Sequence, residues 1–331
     1  MGKRRIRNLS SLGYMDIIGY DTRKDRCLET SNKYKIKTFS SFKEVMSQSP
    51  NVFIISTPPH LHAKYMNYAI KKNINFFTEL NLFSNVVKSI INKTKKKTII
   101  ISASSTMRFH PLVKKLKTLL NKNVIGKIFM VNHQVGHYLP NWHPWESHHD
   151  FFVSKKNTGG AKELVAVELN WLTYLFSDTI SVLGNVRKIS TLDVNIDDTY
   201  QIILEFKNSI LCNMSIDVFS IPSFKETKII GEKGTINVDF IKGTIIINTS
   251  KKSRSVKTRL GNVASGYKGL TPPESLYEEE LNSFFKSINN SNNRVFSLND
   301  ELKLLNVLDA IEKSSKINKR INITSRSKSI H

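Results

Sequence analysis

Cysteine is scarce in this chain. Two residues of 331, Cys27 and Cys212, allow at most one bridge, so a disulfide framework is excluded and a reducing, cytoplasmic setting is expected. Long apolar runs are missing as well. No window approaches the ~18 uninterrupted apolar residues of a membrane span, and the basic start from Met1 to Asn8 leads into Ser10, Ser11, Gly13 and Asp16, not an apolar signal core. Myristoylation is excluded because Ile6 stands where the signal needs Ser or Thr. Acidic residues are outnumbered, 27 against 50 basic, for a net charge of +23. Such a balance attracts nucleic acid, anionic lipid or a phosphorylated small molecule. The lysines are spread through every segment, however, as at Lys71 and Lys72, Lys93 to Lys97 and Lys251 and Lys252. Solvated faces are therefore the expected reading, with neither nucleic acid nor membrane as a partner.

What is present suffices for two domains, with 40% apolar residues to fill their cores. Ile6, Leu9 and Leu12 recur at helical spacing before Gly13, so the chain opens on a short helix. Apolar runs at Met15 to Tyr20, Asn51 to Ile55, Ile74 to Phe77 and Thr98 to Ser102 alternate with helical patterns through Leu61 to Ile70 and Val86 to Ile91. This rhythm predicts an α/β domain with a doubly wound parallel sheet over residues 1–107. After Arg108 come a helix from Pro111 to Leu120, a strand near Lys127 to Val135, an aromatic and histidine-rich stretch to Lys156, and a helix within Ala161 to Phe176. Expected strands follow at Val186 to Val194, Thr199 to Phe206, Ile210 to Val218, Thr227 to Ile230, Thr235 to Phe240 and Thr244 to Asn248, with turns at Lys207-Asn208, Glu232 to Gly234 and Lys242-Gly243. Two helices, Glu274 to Ile288 and Asn299 to Ser315, close an α+β domain of residues 108–324 with a largely antiparallel open sheet, and residues 325–331 are expected to be a disordered tail.

Five features in order resemble the Gfo/Idh/MocA oxidoreductases: a helix opening on Gly2, a strand ending in Tyr20-Asp21, the turn Ser56-Thr57-Pro58-Pro59-His60-Leu61-His62, Glu79 after the next strand, and Thr158-Gly159-Gly160. The resemblance implies a Rossmann-like domain for NAD or NADP, a substrate domain whose open sheet faces the cofactor, and assembly as a homodimer or homotetramer. Met1-Gly2 matches only the end of the dinucleotide fingerprint G-x-G-x-x-G. The first Rossmann strand is thus absent from this sequence, and either a natural chain about ten residues longer or a decayed gene product is expected. Asp21, 19 residues after Gly2, suits an adenosine ribose, although Arg23 and Lys24 leave NADP open and Asp21 could instead cap a helix near Thr22. Thr57 reads as an N-cap and Pro58 as a first helical residue. By resemblance, Gly2, Asp21, Thr57, Pro58, His62 and Glu79 form the cofactor side, and His62 either faces the cofactor or lies on the surface.

Departures mark the catalytic side. Family members usually read Glu-Lys-Pro after the strand, with the lysine reaching the substrate hydroxyl; here Glu79 is followed by Leu80 and Asn81. Leucine moves no proton, so another group must serve or activity is lost. His133, His137, His143, His148 and His149 fall within 17 residues beside Tyr138, Trp142 and Trp145, a composition suited to a sugar, although the loop could also pack its tryptophans inward. No cysteine or close carboxylate completes a metal set around His133 and His137. The family's Asp and His, four apart on one helix face, are replaced by Glu163 and Glu168, five apart and about 140° around a helix. If buried, Glu168 would have a raised pKa in its apolar surround. Glu168 with His137 or His143 are the expected catalytic groups, and Arg108, Tyr138, Trp142 and Glu163 the expected substrate contacts. The expected activity is hydride transfer to or from a carbinol carbon of a sugar or nucleotide sugar, in surface polysaccharide or sugar metabolism. A catalytically inactive relative that binds or assembles is the alternative.

Overall fold

The structure, a computed structural model, describes residues 1–143, 146–263, 272–290 and 295–323. Trp145 and the expected tail at 325–331 lie outside the described residues. Helices in chain order are α1 (Gly2–Ser11), α2 (Lys24–Tyr34), α3 (Phe42–Ser47), α4 (His62–Lys72), α5 (Ser84–Thr94), α6 (Pro111–Asn121), α7 (Gly160–Phe176), α8 (Glu274–Asn289) and α9 (Leu298–Ile317). The first strands are β1 (Ile18–Tyr20), β2 (Lys37–Phe39), β3 (Val52–Ile55), β4 (Asn75–Thr78), β5 (Ile101–Ala103), β6 (Ile128–Tyr138) and β7 (Thr179–Arg187). Those that follow are β8 (Thr199–Phe206), β9 (Leu211–Asp217), β10 (Phe219–Gly231), β11 (Gly234–Asp239), β12 (Thr244–Thr249), β13 (Ser253–Lys257) and β14 (Ile321–Asn322). Two units emerge: Met1–Thr106 with Glu274–Leu302, and Met107–Pro273 with Lys303–His331. Residues 274–302, expected in the second domain, thus belong to the first unit.

In the first unit all pairing is parallel, as expected, but the strands form two sheets, β1-β2 and β3-β4-β5. Burial follows the ladders. The residues of β1 and the first three of β3 are only half-buried, whereas β4, paired on both sides, buries Phe76, Phe77 and Thr78. Leu9 of α1, Phe77 of β4, and Leu281 and Phe284 of α8 form the core, with Ile17, Val52, Ile54 and Ile100 packed around it. Burying such side chains stabilises by roughly 1.5–3 kcal/mol each.

Helix α1 also buries charge. Its Arg5 is 1% exposed. The guanidinium donates to both Glu79 oxygens at 2.7 and 3.0 Å and to Glu280 Oε2 at 2.8 Å, while its face lies 4.5 Å from the centre of the Phe77 ring. Glu280 in turn accepts from Ser104 Oγ and Thr106 Oγ1, at 3.1 and 3.0 Å, and from the Ser105 amide. Next to it, Arg4 donates to Glu274 at 2.8 Å. Helices α1 and α8 are thus tied to the strand ends after β4 and β5 by buried ion pairs.

The second unit is a nine-stranded sheet in the order β13-β12-β11-β10-β6-β9-β8-β7-β14, antiparallel except for β6 with β9. Helix α7 lies against β8 and β9 and buries Val165, Ala166, Leu169, Trp171 and Leu172. The strand expected at Val186 to Val194 is instead Thr179–Arg187. Beyond it, Asp198 accepts from the amides of Ile189 and Ser190 at 2.8 and 3.0 Å, and Lys188 Nζ binds the Leu192 and Val194 carbonyls, both at 2.7 Å, so backbone that a ladder would use is satisfied by side chains. At Gly136 of β6 a Cβ would stand 2.3 Å from the Phe224 ring and 2.6 Å from Ser220, so only glycine permits this approach of β10.

Breaking a buried ion pair from one side leaves a charge stranded, at a cost of about 3–5 kcal/mol. Arg5→Ala should lower the stability of the first unit by that amount, seen as faster hydrogen exchange in α1 and α8. Unchanged exchange there would show the pairing to be unimportant.

Candidate functional site

In the first unit the expected cofactor residues other than Gly2, which opens α1, sit after the parallel strands. Asp21 follows β1, is half-buried, and accepts from the Arg23 amide at 2.9 Å through Oδ1. It does not cap α2, which begins at Lys24 with Arg23 as its N-cap. The Arg23 guanidinium turns to Asp25, bonding Oδ1 at 3.1 Å and also Oδ2. At Gly2 a Cβ would meet nothing within 4 Å. An acceptor at the end of β1 and an open helix start fit the ribose and phosphate parts of a dinucleotide. Nothing at Gly2 itself shows the close backbone cradle of a complete fingerprint.

The turn after β3 departs from expectation. Pro58, not Thr57, is the N-cap, and a single 3-10 turn, Pro59–Leu61, precedes α4. Thr57 Oγ1 is buried without a hydrogen-bond partner among the described residues. His62 is fully buried, neither on the surface nor free to face a ligand. Its Nδ1 lies 2.9 Å from Asn81 Oδ1 and its Nε2 2.8 Å from the Thr57 carbonyl, so it holds the turn. Glu79 is committed to Arg5 and accepts from Ser56 Oγ at 3.2 Å. Burial works to raise its pKa, but Arg5 outweighs it and holds the carboxyl below its usual range.

In the second unit Glu168 is 1% exposed. Oε2 accepts from Trp171 Nε1 at 2.6 Å and lies 3.0 Å from His133 Nε2; Oε1 accepts from Lys225 Nζ at 2.8 Å. His133 Nδ1 is 2.8 Å from Thr227 Oγ1. Burial would raise Glu168, as its apolar neighbours suggest, but Lys225 and then His133 reverse the sign and hold it at about 2. Glu168 is therefore an ionised centre of a buried network, with no proton to give near neutral pH. Burial lowers Lys225, against the pull of Glu168, and together with Lys225 it brings the His110 imidazole down to about 3.

A second group gathers where β6 ends. The His137 ring meets Trp142 edge-on at 5.1 Å, and a Cβ on Gly160, the first residue of α7, would lie 2.9 Å from Leu139 and 3.1 Å from Trp142. His137 Nδ1 and Trp142 Nε1 are both buried without a hydrogen-bond partner among the described residues. Burial brings His137 down to about 4, so the imidazole is neutral at pH 7. Tyr138 is half-buried beside them, its amide donating to Ser223 Oγ at 3.4 Å. His143 stacks on Phe151 at 4.3 Å and pairs with Glu146 Oε1 at 2.7 Å, both half-exposed. Arg108 donates to the Asn170 side chain and carbonyl, at 2.8 and 3.2 Å, and lies 5.0 Å from the Tyr174 ring centre. Glu163 stands in the first turn of α7, half-buried.

The structure thus brings His137 and Trp142 together, while Glu168 bonds to His133, Trp171 and Lys225. Lys225, Thr227 and Glu301 were not singled out from sequence, His133 was read only within the histidine cluster, and Asn81 only as a departure from the motif. Lys225 carried a signal, because it shares its strand face with Thr227 and Ile229 and so had to be buried. Glu301, 220 positions from its partner Asn81, carried none.

Comparison with known proteins follows the same division. Residues 113–237 match the family model of the GFO/IDH/MocA C-terminal domain. Oxidoreductase P35 of Formosa agariphila is 21% identical over 248 residues, 68% of this chain and 71% of the relative. An oxidoreductase from Agrobacterium radiobacter, solved with NAD+, L-tartaric acid and magnesium, shares the fold with a TM-score of 0.81 at 11% identity, covering 97% of this chain and 96% of that one. A levoglucosan dehydrogenase solved with NADH and levoglucosan does so with a TM-score of 0.82 at 16% identity, covering 98% and 96%. The resemblance seen in five short motifs is borne out.

The buried network sets an acid limit. A carboxyl at about 2 folded and ~4.3 unfolded contributes stability that is complete above pH ~4.3 and is lost as pH falls through 2. Lys225→Met removes the charge that holds it there. That variant should lose about 3–5 kcal/mol at pH 7 and begin acid unfolding at higher pH; an acid transition unchanged from the parent would sink this account.

Proposed function

From a chain that carries a GFO/IDH/MocA C-terminal domain, we propose an NAD- or NADP-dependent oxidoreductase acting on a carbinol carbon of a sugar or nucleotide sugar. The observation that carries this reading is the pairing, at the end of β6, of a neutral buried imidazole with an indole, each with an unpartnered nitrogen. Bound nicotinamide would supply the site that takes up or returns the hydride. Asp21 would accept hydrogen bonds from the ribose, and the start of α1 at Gly2 would receive phosphate. His137 Nδ1 would take the hydroxyl proton as the carbinol is oxidised, or return it in the reverse direction, in place of the lysine that Leu80 replaces. Trp142 offers a ring for the C–H face of a sugar and an N–H for a hydroxyl, with Tyr138 and Glu163 nearby in sequence as further polar contacts.

The same proposal includes a cytoplasmic setting, a homodimeric or homotetrameric assembly, and a place in polysaccharide or sugar metabolism, for which the basic composition suits an anionic nucleotide sugar. The described residues include no helix long and apolar enough to cross a membrane. Leu80 favours a second reading, a relative that binds the dinucleotide or sugar without transferring hydride.

Titration with NADH and NADPH, followed by fluorescence or calorimetry, separates the readings. Micromolar binding weakened about tenfold or more by Asp21→Ala is expected, the loss of charge-assisted ribose bonds being worth roughly 1.5–3 kcal/mol. Binding of neither nucleotide would remove the oxidoreductase reading. Binding without turnover on any sugar tested, restored by Leu80→Lys, would establish the second.

A further inference from the structure

Three buried side chains in the first unit form a chain of hydrogen bonds whose protons can be counted. Glu301, in the first turn of α9, is fully buried, as is His62 of α4; Asn81, 2% exposed, lies between them. The Asn81 backbone N–H donates to Glu301 Oε1 at 2.9 Å, and the side-chain amide is placed with Nδ2 2.8 Å from Glu301 Oε2 and Oδ1 2.9 Å from His62 Nδ1. His62 Nε2 is 2.8 Å from the Thr57 carbonyl. Thr78 Oγ1, which donates to the Glu79 carbonyl at 3.0 Å, stands 3.3 Å from His62 Nδ1.

A carbonyl oxygen only accepts, so Nε2 must carry a hydrogen. Nδ1 then has two options. If the Asn81 oxygen faces it, Nδ1 must also be protonated, making His62 an imidazolium and Glu301 a carboxylate. If the Asn81 nitrogen faces it, Nδ1 is bare, and the Asn81 oxygen accepts a proton held by Glu301. The two arrangements contain the same number of protons and differ by rotation of one amide, whose two ends have the same shape. The first buries two full charges separated by an amide; the second buries none.

We infer that Glu301 is a protonated acid, Asn81 turns its nitrogen to a neutral His62, and this one-proton relay is a pH-sensitive lock on the turn between β3 and α4. Burial raises Glu301 to about 7 and lowers His62, in keeping with two neutral groups. The other titratable groups acting on His62 are Glu79, whose charge is answered by Arg5, and His60. When Glu301 ionises, its oxygens need the Asn81 nitrogen. The amide must turn its oxygen to His62, which then either binds a proton at Nδ1 or gives up Thr57. Loss of one proton from α9 thereby loosens the turn that contains Thr57 and Pro58. This inference is independent of the proposed enzyme activity.

The sign follows from linkage. Glu301 binds its proton more tightly folded than unfolded, so its contribution is full below pH ~4.3 and is lost as pH rises through about 7. His62 acts in the opposite direction, its contribution lost as pH falls below ~6.5. Glu301→Gln isolates the first effect, because glutamine donates to the Asn81 oxygen as the protonated acid does. With the full chain and no added nucleotide, the ratio of folded to unfolded protein in the parent, relative to Glu301→Gln, should fall roughly a hundredfold from pH 5 to pH 8. The variant should be the more stable of the two at pH 8. A variant less stable than the parent at every pH would overturn the proposal, since it would mean that a carboxylate was required. Long-range 1H–15N spectra of the parent at pH 6.5, with the ring assigned through His62→Gln, provide a second test that needs no change at Glu301. A neutral ring protonated at Nε2 is expected, and a doubly protonated His62 would overturn the inference whether or not Glu301→Gln folds.

Discussion

A guanidinium with almost no water around it must find its counter-charges within the fold, and Arg5 organises the first unit for that reason. Its fork geometry satisfies both oxygens of Glu79 and one of Glu280, which a lysine could not do. Glu79 follows β4, and Glu280 sits on α8, far along the chain but bonded to Ser104, Ser105 and Thr106 after β5. One side chain thus links the opening helix to two strand ends and a returning helix. Burial raises Glu280 more than Arg5 lowers it, whereas Glu79, with two bonds from Arg5 and one from Ser56, stays below its usual range.

Three glutamates show how surroundings shift a carboxyl. Glu168 has a lysine and two ring N–H groups around it and is ionised well below neutral pH. Glu79 has an arginine and a hydroxyl, with a like effect. Glu301 has only amide groups, and an amide neutralises nothing, so burial alone sets its direction. Glu168 and Glu301 lie at the same depth, and the charge of the partner separates them.

Legibility in the sequence followed the range of the interactions. The parallel α/β rhythm, the antiparallel second sheet and the helix after Gly159-Gly160 were all readable, because apolar periodicity and turn residues act over a few positions. Strand ends were less so: Val186 to Val194 has strand-like residues, yet Asp198 and Lys188 take its backbone groups. The sign of the Glu168 shift was not readable, since the apolar residues beside it on α7 are visible while Lys225 arrives 57 positions later. For the same reason His62, read either as facing a ligand or as lying on the surface, lies instead in a network completed by a residue on α9.

Asn81 makes the connection between departure and consequence concrete. A proline in its place has no N–H for Glu301 and no side-chain amide for His62, so the relay could not exist in a chain with the usual motif. Leu80, beside it, places no cation in the same segment, and a nearby lysine charge would favour an ionised Glu301 over the neutral acid. Leu80 and Asn81 are therefore physically consistent with each other: without a cation the acid keeps its proton, and with the amide that proton is given a partner. The His62 contact holds the backbone at Thr57, while His137 and Trp142, each with a buried nitrogen that has no partner among the described residues, lie at the end of β6.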